Sequence, residues 1–155
     1  MGQRSDSGAR PDGGMDALRN VVATDGLEVQ TVFATPGVHP FDEIEWEKRS
    51  ARIGDSQGNT IFEQTDVDVP SSWSALATNV VVSKYFYGEN GAEERESSVR
   101  ELIHRVTRTI TDWGAEDGVF ASEEDAERFY QDLTYLCVNQ MGAFNSPVWF
   151  NVGLY

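Results

Sequence analysis

The feature that most constrains this fold is an apolar stripe, Val99, Leu102, Ile103, Val106, Ile110 and Trp113, whose members fall at helical spacing. That period sets the residues on one face of an α-helix, with Glu93, Glu94 and Glu96 near its positive N-terminal end and Gly114 as its stop. A second stripe, Ala126, Phe129, Tyr130, Leu133, Leu136 and Cys137, follows Ser122-Glu123-Glu124-Asp125, a near capping box with Asp where Glu or Gln is usual. It predicts another helix, ending near Gly142. Both helices are amphipathic and must bury an apolar face, so much of the domain is helical.

Upstream the period changes from helical to alternating. Ile44-Glu45-Trp46-Glu47 alternates, Gly54-Asp55-Ser56-Gln57-Gly58-Asn59 is turn-forming, and Thr60-Ile61-Phe62-Glu63 is a second β-rich run, together predicting a β-hairpin. Thr65 to Val69 alternates again until Pro70. A further helix is expected from Ser71 or Ser72 to Tyr87, closed by Gly88 and burying Trp73, Leu76, Ala77, Val80 and Val81. Two prolines and a glycine in Thr35 to Phe41 favour an extended, turning lead-in. Residues 1–32 are rich in Gly, Ser, Asp and Arg and are expected to be a flexible tail. The expected class is α+β, mostly α: tail, hairpin, three helices, then the apolar segment GAFNSPVWFNVGLY over residues 142–155.

At 155 residues the chain has the size of one domain. It carries 26 acidic against 12 basic residues, a net charge of −14, which is a poor match to nucleic acid or an anionic membrane. No apolar run is long enough to span a bilayer, and the N-terminus lacks the pattern of a secretory or transit peptide, so a cytoplasmic location is the expectation. The only lysines are Lys48 and Lys84; an acidic, lysine-poor chain suits a high-salt cytoplasm, although ordinary acidic proteins share that balance.

Few side chains announce chemistry. There is neither a GxGxxG nor a P-loop pattern. Cys137, the single cysteine, lies on an apolar stripe and reads as a buried hydrophobe rather than a nucleophile. His39 and His104, the only histidines, read as structural, and with one cysteine they make no closed metal site. In Asn145-Ser146-Pro147, proline removes a donor and holds Ser146 extended, so its hydroxyl can face an acceptor such as a phosphate oxygen; a plain turn after the preceding helix is the competing reading.

Four blocks carry a resemblance: Val38-His39-Pro40-Phe41-Asp42 to Trp46-Glu47, Ala77 to Phe86, Glu94 to Arg100, and Phe144-Asn145-Ser146-Pro147-Val148-Trp149-Phe150-Asn151-Val152-Gly153. In this order and spacing they resemble the N-terminal region of class II, adenosylcobalamin-dependent ribonucleotide reductases, over residues 33–155. The resemblance implies an N-terminal helical domain over 33–143 and, over 144–155, the first strand of an α/β barrel. It implies thiyl-radical reduction of ribonucleotides to deoxyribonucleotides, with the catalytic cysteines and the adenosylcobalamin site in the remainder of the polypeptide, so the isolated chain is expected to be inactive. It also implies a thioredoxin-type reductant for the complete enzyme and leaves room for a homodimer. Ser146 matches a hydroxyl residue that contacts the substrate phosphate, with Asn145 and Pro147 shaping its loop; no catalytic or metal-ligating residue carries over. A freestanding binding or regulatory module that keeps this fold is the alternative.

Overall fold

The computed structural model describes residues 26–154. The expected tail over residues 1–25 lies outside them. A two-stranded antiparallel sheet, β1 (Trp46–Gly54) and β2 (Thr60–Pro70), is followed by helices α1 (Ala75–Lys84), α2 (Val99–Glu116), α3 (Glu123–Val138) and the short α4 (Ser146–Asn151). A 3₁₀ turn, Pro40–Glu43, leads into β1. This is the expected α+β hairpin-and-helix architecture, with differences in detail that have local causes.

The hairpin is longer than the sequence suggests. Arg49 pairs with Val67 and Ala51 with Gln64, so Ser50 faces two residues, Thr65 and Asp66. This bulge, with Asp66 at φ 57°, lets the strand continue through what reads as a separate run. Ala51, Val67 and Val69 are fully buried on the helical side.

Helix α1 starts later than expected because Ser74 caps it, its hydroxyl accepting from the Ala77 N–H. Trp73 therefore precedes the helix; it is buried, and its indole N–H donates to the Val138 carbonyl at 2.8 Å. The buried positions of α1 are Thr78 and Val82, while Leu76, expected in the core, is 74% exposed. The Val80-Val81-Val82 run selects no unique face, so contact with the hairpin decides it.

In α2, Val99, Leu102, Ile103 and Val106 are buried as expected, but Trp113 is exposed and Thr107 and Thr111 are buried instead. Both threonines are satisfied: Thr107 and Thr111 each donate to the carbonyl four residues back, and Thr107 Oγ1 lies 3.0 Å from Thr134 Oγ1 of α3. The helix runs past Gly114 to Glu116. A Cβ at Gly114 would lie 2.8 Å from the Phe120 ring, so this glycine permits a close approach rather than ending the helix.

Helix α3 ends at Val138, not near Gly142. Gln140, at φ 56°, takes the left-handed position after the cap; its N–H donates to Cys137 and that of Met141 to Leu136, the Schellman pattern.

Residues 26–32, assigned by composition to the flexible tail, are anchored. Leu27 exchanges backbone hydrogen bonds with Val119 and Ala121. Asp125 accepts from the Val29 N–H, and Asp132 accepts from the N–H groups of Val32, Phe33 and Ala34. Carboxylates of α3, rather than apolar burial, pair this backbone.

Candidate functional site

The apolar segment holding Ser146 is helical over Ser146–Asn151, not the strand expected for 144–155. A strand must pair with a neighbour, and among the described residues neither β1 nor β2 pairs with this segment, whereas a helix closes its hydrogen bonds locally. Val148 and Trp149 donate to the Asn145 carbonyl, and Pro147 falls in the first turn, where its missing N–H costs nothing. The extended residue is therefore Asn145, at φ −73° and ψ 164°, while Ser146 opens the helix. The four-residue spacing of Phe144, Val148 and Val152 could have signalled this.

Ser146 is partly buried, and its Oγ lies 2.9 Å from the hydroxyl of Tyr85, the cap residue of α1. Tyr85 meets Phe150 at a tilt of 46°, their ring centres 5.2 Å apart, and Phe144 meets buried Trp149 edge-on at 5.5 Å. Tyr85 also walls a cavity of about 240 Å³, together with Trp73, Val81, Phe144, Trp149 and Cys137. A hydroxyl both donates and accepts, so in this pair one proton serves the internal bond and the other is left to donate outward. That suits an anionic oxygen. Asn145 is exposed and contributes no side-chain cap to α4; its backbone carbonyl and Pro147 shape the turn.

The other candidates lie elsewhere or are occupied. Cys137 is buried, and burial pushes its thiol up to about 11, which keeps it protonated and unreactive at neutral pH. His39 and His104 converge on one hydroxyl, that of Tyr130, at 3.0 and 2.7 Å. Among the described residues no three His, Cys, Asp or Glu side chains gather as a metal site requires.

Two residues of the site are invisible as such in the sequence. Tyr85 closes the Ala77 to Phe86 block without any mark that its hydroxyl reaches Ser146. Arg105 sits inside α2, where its charge reads as solvent-facing, yet its side chain is only 11% exposed. Its partner, Glu96, lies in the Glu94 to Arg100 block and is equally enclosed. No local pattern would have paired them.

The family model described as class II vitamin B12-dependent ribonucleotide reductase matches residues 47–140. The chain is 62% identical over 132 residues to a vitamin B12-dependent ribonucleotide reductase of Rhodopirellula baltica, covering 84% of this chain and 13% of that protein. To the protein of the same description from Streptomyces clavuligerus it is 46% identical over 132 residues, covering 84% and 14%. To that from Agrobacterium fabrum it is 30% identical over 162 residues, covering 83% and 13%. The chain thus spans about one seventh of the length of these relatives.

Proposed function

Because this chain belongs to the class II vitamin B12-dependent ribonucleotide reductase family, we propose that it serves as the N-terminal part of an enzyme reducing ribonucleotides to 2′-deoxyribonucleotides. In that enzyme Ser146 donates a hydrogen bond to a substrate phosphate oxygen. The observation supporting this role is the Ser146 and Tyr85 hydroxyl pair, held at 2.9 Å on a helix start that Pro147 and Trp149 fix. When phosphate arrives, the Ser146 O–H turns outward and Tyr85 can donate to the oxygen it leaves.

The cavity walled by Tyr85 does not fit a corrinoid. At about 240 Å³ it is below the ~300–1,000 Å³ usual for drug-sized ligands, and its walls are largely apolar. Adenosylcobalamin, the radical-bearing cysteine and the site of a thioredoxin-type reductant belong to the remainder of the polypeptide, so the 155-residue chain has no turnover of its own. This chain's contribution is to hold one end of the substrate.

The test is Ser146→Ala in a complete reductase carrying this segment. Substrate binding should weaken by about 1–3 kcal/mol, the cost of leaving a charged oxygen without its donor. An unchanged substrate dissociation constant overturns the phosphate role. Turnover by the purified 155-residue chain would instead make it an enzyme in its own right.

A further inference from the structure

Arg105 is the most heavily engaged side chain in the described molecule, and none of its bonds serves a surface ion pair. Its Nε lies 2.7 Å from Glu96 Oε1 and its Nη2 lies 3.3 Å from Glu96 Oε2. The same guanidinium donates to the Val152 carbonyl at 2.7 Å, the Trp149 carbonyl at 3.3 Å and the Tyr85 carbonyl at 3.4 Å. Glu96 Oε2 also accepts from the Tyr87 N–H at 2.8 Å. Both side chains are about nine-tenths enclosed, so water does little to screen the pair.

These bonds join the two ends of the Ser146 site. A six-residue helix has no stability of its own, so the position of α4 depends on what holds it. Trp149 and Val152 belong to its C-terminal end, where carbonyls lack helical partners and a cation is favourable. Tyr85 supplies the hydroxyl that meets Ser146. One cation therefore anchors the backbone of Tyr85 and the C-terminal end of the helix that carries Ser146. Gly153, at φ 79°, seals the contact: a Cβ there would lie 2.6 Å from Arg105 Cγ and 2.7 Å from the Arg105 carbonyl oxygen.

We propose that Arg105, aligned by Glu96, is the positioning residue for the Ser146 hydroxyl, fixing α4 and Tyr85 so that the hydroxyl stands ready for an anionic oxygen. This rests on the reading of Ser146 as a phosphate contact. A lysine keeps the charge but not the planar fork that reaches three carbonyls and a carboxylate together.

The experiment compares Arg105→Lys, Gly153→Ala, Ser146→Ala and the double variant Arg105→Lys/Ser146→Ala in a complete reductase carrying this segment. Gly153→Ala lifts the segment off α2 with the guanidinium intact, so it replaces Arg105→Lys if that variant does not fold. Expected are about tenfold faster amide hydrogen exchange across 146–152 with the β1–β2 hairpin unchanged, and a ribonucleotide KM raised about tenfold with kcat within about twofold. On the Ser146→Ala background the Arg105→Lys change should add nothing further, because both act on one contact. Unchanged exchange across 146–152 overturns the positioning role whatever Ser146 does. So does a KM effect that multiplies with that of Ser146→Ala. If Ser146→Ala itself leaves KM unchanged while exchange rises, the phosphate reading has failed and Arg105 is only a structural anchor.

Discussion

Tyr130 shows how a single buried hydroxyl can fix two histidines. The Phe41 N–H donates to His39 Nδ1 at 3.2 Å, which makes that nitrogen the acceptor and leaves Nε2–H to donate to the Tyr130 oxygen. The Tyr130 proton then goes to His104 Nδ1. This one-way chain needs the His104 imidazole neutral. Burial lowers the His104 pKa below 6.5, helped by Arg108 and His39 and opposed by Asp112 and Glu127. The sign follows: above pH 6.5 folded and unfolded chains both hold His104 neutral, and below it the unfolded chain takes up a proton that the folded chain resists. Stability should therefore be full above pH 6.5 and decline as the pH falls toward the lowered folded value. Thermal melts of His104→Asn, whose side-chain oxygen can accept from Tyr130 without titrating, should flatten that decline; an unaltered slope removes His104 as its cause. The sequence identifies both histidines as structural residues but cannot show their meeting at Tyr130, 91 and 26 residues away.

Helix ends divide into those written locally and those set by packing. Ser122 is legible as a cap because the motif is contiguous, and the structure adds Ser98 with Glu101 as a complete capping box on α2. The end of α3 is less legible, since a glycine is the usual left-handed residue and Gln140 stands there instead, two residues before Gly142. Gln140→Gly should stabilise the domain by about 0.5–1 kcal/mol, relief of the left-handed cost partly offset by a looser unfolded chain. Urea or thermal unfolding reads this directly, and a lower midpoint would mean that the Gln140 side chain, which borders the cavity walled by Tyr85, contributes more than its backbone costs. Helix α4 could not be read as a strand or a helix from its aromatic content alone. Its state depends on Arg105 and Tyr85, supplied by α2 and the end of α1, and on the burial of its own Trp149.

Across the molecule, the net charge of −14 understates the imbalance at the surface. Arg49, Arg95 and Arg105 spend their guanidinium groups on backbone carbonyls, Arg95 at Phe86 and Gly88, Arg49 at Ser71 and Trp73. Among the described residues Lys48, Arg49, Arg108 and Arg128 pair with exposed or part-exposed carboxylates, and most of the other surface acids have no such partner. Salt screens such repulsion, so the melting temperature should rise between about 0.1 M and 1 M potassium chloride. A melting temperature insensitive to salt would reduce the acidic composition to a matter of solubility. Composition made this charge legible; the interior use of arginine was not, because an arginine capping a carbonyl and one facing water look alike in a sequence.

The backbone of Val32, Phe33 and Ala34 binds a carboxylate 98 to 100 residues further along the chain. During synthesis Asp132 does not yet exist when that segment leaves the ribosome. At about 5–20 residues per second the wait is on the order of 5–20 s, during which three adjacent N–H groups and the Phe33 ring have no native partner. The segment gains its anchor only when α3 arrives.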